Sequence, residues 1–297
     1  MADDVGSTRP PVVVAVIQAR MGSTRLPGKV LEPIEGAPLL AWTIGGVEAI
    51  RAVSTVVVAT TTSPDDDAVA SLAEDLGVHV HRGSVRDVLA RCFEAVAPFE
   101  PDVVVRQTAD NAFADPGVAS AQVRRLVEGD LDYVGIDGWP LGIAAEACRF
   151  SALAIAQREA VDDADREHVM PFLYRQPERF RIGRVERAGA GRPVAATARY
   201  TVDTEADLAF ARSLAARLGH GAPVDLGELE AIIEDEPALL EINAAVAQRS
   251  SRSSEATQDG IAARPDSRQS TGAGASMGRG ASAGDGRSER RKEEGDR

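Results

Sequence analysis

The chain has 297 residues, 44% hydrophobic and 27% charged, with 33 Lys/Arg against 46 Asp/Glu and a net charge of −13. Residues 249–297, with ten basic and eight acidic side chains, carry +2, which leaves −15 on the rest. A body this acidic is a poor partner for duplex nucleic acid, whose affinity comes from neutralised phosphates, and no apolar run approaches the roughly 18 residues of a membrane span.

Residues 1–10 read as a flexible leader. Val12 to Ile17 is a continuous, mostly β-branched run of the kind buried on both faces of a parallel sheet. The stretch 38–49 reads as a helix, with Leu39, Leu40, Trp42, Ile44 and Val47 as its apolar stripe. A second buried strand is expected over 55–60. It ends at Ser63-Pro64, where Ser63 is placed to cap a helix with Asp65 and Asp66 at its positive end. A short strand over 78–81, a helix over 85–96 and a strand over 103–107 follow. Late in the chain, an apolar strand ending at Asp203 precedes a helix over 205–218.

This order implies one α/β domain over 11–248, with an open, mostly parallel sheet and helices on both faces. Ser, Gly, Ala and charged residues dominate 249–297, which cannot bury enough surface to offset its ordering entropy and reads as a disordered tail. The Arg290, Arg291, Lys292 run belongs to that solvated tail. Cys92 and Cys148 lie in apolar stretches without metal-ligand spacing and read as core residues of a reducing compartment. The N-terminus has no basic stretch followed by an apolar one, so a cytoplasmic location is expected.

Lys29 is the only lysine before position 292. It closes the segment Gln18-Ala-Arg-Met-Gly-Ser-Thr-Arg-Leu-Pro-Gly-Lys29, directly after the first strand. Lysine and arginine are not interchangeable where a compact ammonium must reach a phosphate inside a tight loop. Gly22, Ser23, Thr24 and Gly28 supply backbone N–H groups that can wrap an anion, and Arg20, Arg25 and Lys29 concentrate charge there. The segment is neither a Walker A loop nor GxGxxG. A surface connection is the plain alternative; otherwise the composition points to a polyphosphate.

In parallel sheets ligands bind beyond the carboxyl ends of the strands. That rule gathers the 18–29 loop, the 60–64 turn, Asp110 after the fourth strand and Asp203 at a later strand's exit. A triphosphate arrives with Mg²⁺, which takes one or two carboxylates plus phosphate oxygens and waters, so Asp110 and Asp203 are the candidate metal acids. Helix capping is the rival duty for both, although Asp115-Pro116 suits capping better than Asp110 does. His79 and His81 alternate on a strand and make no metal site. His168, in a mixed-charge helical start, reads as structural.

The segment from Gln18 to Leu31 closely resembles the opening motif of the SpsF-like cytidylyltransferases, relatives of the enzymes that make CMP-activated Kdo and sialic acid. Further matches follow in order. They are Val57 to Thr60, Arg82-Gly-Ser84 with Asp87 and Arg91, Arg106 to Asp110, Arg166 to Val169 with Glu178 to Phe180, and Tyr200 to Asp203 with Asp207 and Leu208.

The resemblance implies a nucleotide-diphospho-sugar transferase (GT-A-like) fold. It also implies Mg²⁺-dependent transfer of CMP from CTP to a sugar acid or similar small acceptor, with pyrophosphate leaving. Lys29 and Arg20 would stabilise phosphate charge, Arg25 assisting, and Asp110 and Asp203 would hold the metal. Ala19, Met21, Gly22 and Ser23 would line the nucleotide, Ser84 and Arg91 would sit near the base, and Gly142 and Glu146 on the acceptor side. A homodimer through 151–180 is the partner contact the analogy suggests. A nucleotide-sugar glycosyltransferase and a silent nucleotide-binding homologue are the alternatives.

Two departures stand out. Asn111-Ala-Phe-Ala114 replaces the usual Cys-Pro-Leu-Ile, and Gly142-Ile-Ala144-Ala-Glu146 lacks the acid usual at position 144. With the phosphate side intact, a changed acceptor is the favoured consequence.

Overall fold

The computed structural model describes residues 9–187 and 198–247. The tail, and the leader apart from residues 9 and 10, lie outside them. The first half contains β1 (Val13–Gln18), a small hairpin of β2 (Pro33–Ile34) and β3 (Ala37–Pro38), α1 (Leu39–Glu48), β4 (Thr55–Thr61), α2 (Asp67–Asp75), β5 (His79–Gly83), α3 (Val88–Val96) and β6 (Val103–Thr108). The second half adds α4 (Pro116–Glu128), β7 (Tyr133–Asp137), β8 (Glu146–Arg149), α5 (Phe150–Glu159), α6 (Asp163–His168), α7 (Pro171–Tyr174), β9 (Ile182–Glu186), α8 (Glu205–Leu218) and α9 (Leu226–Asp235).

Among the described residues, seven strands form one sheet in the order β5-β4-β1-β6-β8-β7-β9. Only β8 runs against its neighbours β6 and β7. The open, mostly parallel sheet expected from the sequence is therefore the fold. Its central strands are buried on both faces because successive side chains point to opposite sides. Val13, Ala15 and Ile17 pack with α1, α2 and α4. Val14 and Val16 pack with α3, α5 and the 169–173 turn on the other face. A third cluster joins α8 and α9 to Trp42, Phe113 and Ile143.

Local chemistry sets several boundaries. Asp115 accepts from Gly117 N and Val118 N and so caps α4, with Pro116 in the first turn. Thr204 and Asp207 form a reciprocal capping box on α8. Capping is thus done by neighbours of Asp110 and Asp203, which frees both acids for other partners.

The remaining elements correct the sequence reading. The third strand runs to Gly83, and α3 starts at Val88, where the Asp87 side chain accepts from Ala90 N at 2.8 Å. Residues 84–87 are therefore loop, fixed by the Ser84 hydroxyl, which accepts from Asp87 N at 3.0 Å. Ser63 makes no side-chain cap, and a 3₁₀ turn, Pro64–Asp66, precedes α2. The segment before α8 is not a sheet strand either. Among the described residues it contributes an isolated bridge between Leu141 and Arg199.

Candidate active site

Because β1, β4 and β6 run parallel and adjacent, their carboxyl ends open on one rim. Ala19 N donates to Ala59 O at 3.2 Å and Ala109 N to Gln18 O at 3.0 Å, so the three strand exits are stitched together. Beyond them lies a cavity of about 410 Å³. Of the expected site residues, Ala19, Arg20, Gly22, Ser23, Arg25, Lys29, Arg91, Asp110 and Asp203 line it.

The 18–29 loop is folded on itself and anchored from outside. Ser23 N and Gly28 N both donate to Met21 O, at 2.8 and 3.0 Å. Gly28 has φ +75°, a conformation open to glycine at little cost. Met21 N donates at 2.6 Å to Asp66 Oδ1, and the Thr61 hydroxyl donates to the other carboxylate oxygen. Asp66 is buried. It serves as the anchor of the loop, whereas the sequence reading gave it only a helix-end charge. Met21 itself is absent from the cavity lining.

Lys29 is buried, and its ammonium is shared. Nζ donates to Asp110 Oδ2 at 2.7 Å, Asp203 Oδ1 at 2.8 Å and Val202 O at 2.7 Å. Asp203 also pairs with Arg25 at 2.8 Å and with Arg199, which in turn reaches Asp207. Burial works to raise the Asp203 pKa, but the Lys29 hydrogen bond and the charges of Lys29, Arg25 and Arg199 outweigh it and hold the carboxyl below its usual range. Two carboxylates from distant segments thus converge on one cationic nitrogen. Their hard oxygens also fit Mg²⁺, completed by phosphate oxygens and waters; among the described residues no group of three or more His, Cys, Asp or Glu has metal-site geometry.

On the far side of the loop, Arg91 is buried, and its Nη1 donates to Ser84 O at 2.5 Å while Nε has no partner. Burial pushes this guanidinium below its usual pKa. Arg20 is exposed and makes a long 3.5 Å bond to Val85 O. Ser84 lies outside the lining and orders the turn that presents Arg91.

Glu146 and Gly142 lie outside the cavity lining too. Glu146 pairs with Arg106 and accepts from the Tyr133 hydroxyl at 3.0 Å. Arg106 holds the Gln18 carboxamide oxygen at 2.7 and 3.0 Å, so Glu146 reaches the cavity only through Gln18. Gly142 has φ +93°, and an added Cβ would stand 2.6 Å from Thr201 N. Its role here is close backbone approach, which lets 141–142 lie against 199–201.

Glu167 and His168 also line the cavity. Sequence reasoning had set His168 aside as structural. It is instead exposed at the cavity. The signal was its place beside Arg166, which grips Asp87 through Nε at 3.0 Å and through Nη2.

The family model described as cytidylyltransferase matches residues 14–238. The chain is similar to the spore coat polysaccharide biosynthesis protein SpsF of Bacillus subtilis, with 31% identity over 76% of this chain and 95% of that one. A shorter match joins it to the 3-deoxy-manno-octulosonate cytidylyltransferase of Bdellovibrio bacteriovorus, 44% identical over 23% of this chain and 26% of that one. Among solved structures, a cytidylyltransferase from Leptospira borgpetersenii superposes with a TM-score of 0.71 at 26% identity, covering 77% of this chain and 96% of the other.

Proposed function

The chain belongs to the cytidylyltransferase family, and on that premise we propose that it transfers CMP from CTP to a sugar acid or similar small acceptor, with Mg²⁺ and release of pyrophosphate. The observation that carries this reading is the junction of a folded, cation-bearing loop with two converging carboxylates at one rim. Phosphoryl-type transfer needs countercharge and positioning more than covalent chemistry, and the rim supplies both.

In this reading the backbone N–H groups of the 18–29 loop and the Arg20 and Arg25 guanidinia hold the triphosphate. Asp110 and Asp203 would hold Mg²⁺, which when bound supplies countercharge to the phosphates and the leaving group. Lys29 keeps the two acids together and contributes its charge beside them. Arg91 and the 84–87 turn close the nucleotide end. The departures at Asn111 and Ala144 favour an acceptor different from that of the better-known relatives.

The test is calorimetric binding of CTP, UTP, ATP and GTP with Mg²⁺ to the wild type and to Lys29→Ala, followed by pyrophosphate release with a panel of sugar acids that begins with 3-deoxy-manno-octulosonate. The expected result is micromolar binding of CTP above the other nucleotides, lost in the variant, and release with at least one acceptor. A folded protein that binds no triphosphate overturns the reading.

A further inference from the structure

Every cavity-lining residue between Asp110 and Asp203 in sequence comes from the end of α6: Glu167 and His168. Their placement is enforced from three sides. Arg166, the preceding residue, is bound to Asp87 and to the carbonyl of Gln157 at 2.8 Å. Asp87 caps the helix that carries Arg91, so α6 and the nucleotide end of the cavity are one unit. Asp165 is paired with Arg175 beyond α7. Asp162 caps the start of α6, accepting from Ala164 N at 3.1 Å.

The chain then turns sharply. Val169 has φ 72° and ψ −61°, and Met170 N donates to His168 O at 2.9 Å, a γ-turn of the rarer hand. A β-branched residue at positive φ is strained, and such strain persists where the surroundings over-determine it. Here they do, because Val169 and Met170 are both fully buried in the cluster beneath the sheet. The turn drives those two side chains into the core and leaves Glu167 and His168 at the cavity. Neither of the two side chains has a hydrogen-bond or ion-pair partner among the described residues. An exposed, unpartnered imidazole beside an unpartnered carboxylate is unlike a histidine kept for packing.

Charge says what this wall faces. The cavity presents Arg20, Arg25 and Lys29 from the loop, Arg91 from α3, and the carboxylates of Asp110 and Asp203. A free Glu167 carboxylate repels a triphosphate but accepts hydrogen bonds from hydroxyls. We propose, resting on the cytidylyltransferase reading above, that His168 is a catalytic residue on the acceptor side and takes the proton of the attacking hydroxyl. Glu167 accepts a hydrogen bond from a neighbouring hydroxyl of the same acceptor. In the step, the acceptor oxygen's lone pair forms the bond to the α-phosphorus. The bond from that phosphorus to the bridging oxygen breaks, and its electron pair leaves on pyrophosphate. The hydroxyl proton passes to the neutral imidazole.

The experiment compares the wild type with His168→Gln by calorimetric CTP binding and by pyrophosphate release from Mg–CTP across pH, with each sugar acid of the panel above and with water alone as acceptors. The variant should keep CTP affinity within about twofold and lose about a hundredfold in turnover, the scale of a positioned proton acceptor. The acidic limb of the wild-type turnover profile should vanish with it. Weakened CTP binding would mean that His168 touches the nucleotide ribose, and overturns the proposal. Unchanged turnover, or a fall that leaves the acidic limb in place, overturns it as well. A wild type that binds no CTP, or binds it without any pyrophosphate release, overturns the parent reading and this inference together.

Discussion

Lys29 Nζ donates to Asp203 Oδ1 at 2.8 Å across 174 positions of the chain. The same ammonium holds Asp110 and the Val202 carbonyl. An ammonium has three donors, so all three are engaged, and Lys29 joins the exit of β6 to the segment before α8. It reaches a phosphate only by releasing one of these partners.

Lys29→Met leaves two partly buried carboxylates facing each other without their shared cation. Removing one partner of such a network costs about 3 kcal/mol, and urea unfolding at neutral pH should show a loss of that order. If the two carboxylates hold a divalent cation as proposed, that cation should substitute for the lost charge. Mg²⁺ alone, without nucleotide, should raise the melting temperature of the variant more than that of the wild type. Equal Mg²⁺ responses would refute the proposal that Asp110 and Asp203 hold the cation.

Asp203 titrates below its ordinary value of 3.8 in the folded protein. A carboxyl whose folded pKa is depressed contributes stability that is present above the unfolded pKa and lost as pH falls through the folded one. The window therefore opens near pH 4 and extends downward. The stability difference between pH 7 and pH 3, measured by urea unfolding, should be smaller in Asp203→Asn than in the wild type. Parallel curves would show that the Lys29, Arg25 and Arg199 contacts carry no linkage.

Gly142→Ala tests a backbone requirement rather than a ligand contact. The new Cβ would press on Thr201 N at 2.6 Å, and φ +93° disfavours any L side chain. Strain of this kind costs roughly 2 kcal/mol or more. Because the strained contact adjoins Val202 and Asp203, CTP binding should weaken together with the unfolding midpoint. An alanine variant as stable as the wild type would contradict the close approach.

Cys92 and Cys148 are fully buried on one face of the sheet, and burial pushes both thiols up from their usual pKa. A thiol reagent acts through the thiolate. Labelling of the native protein should therefore be negligible and become complete in denaturant. Rapid labelling of either cysteine in the folded protein would place a channel beneath β6 and β8.

Much of the fold was legible in the chain. The runs in β1, β4 and β6 are hydrophobic on both faces, which marks central parallel strands, and Asp115-Pro116 and Thr204 through Asp207 are local capping signals. Residues expected together do line one cavity where their motif lies within one short segment, as Ala19, Arg20, Gly22, Ser23, Arg25 and Lys29 of the 18–29 loop do. Two other placements differ from what the sequence suggested. Gly142 and Glu146 read as acceptor-side residues, yet one is a packing glycine and the other braces Gln18 through Arg106. His168 read as structural because it lies in a mixed-charge helical start, and the grip of its neighbour Arg166 on distant Asp87 shows only in the folded chain.

The sequence by itself determined the central strands β1, β4 and β6, the helices between them and the concentration of cations in the first loop, since periodicity, capping and turn formation act over a few residues. Only the tertiary structure decided that Asp66 anchors Met21 across 45 positions, that Lys29 reaches back to Asp110 and Asp203, and that a strained turn at Val169 sets His168 at the same rim. Those partners lie far apart along the chain. Which of them meet is settled by strand order and by the packing of buried Val169 and Met170, and neither leaves a short-range pattern.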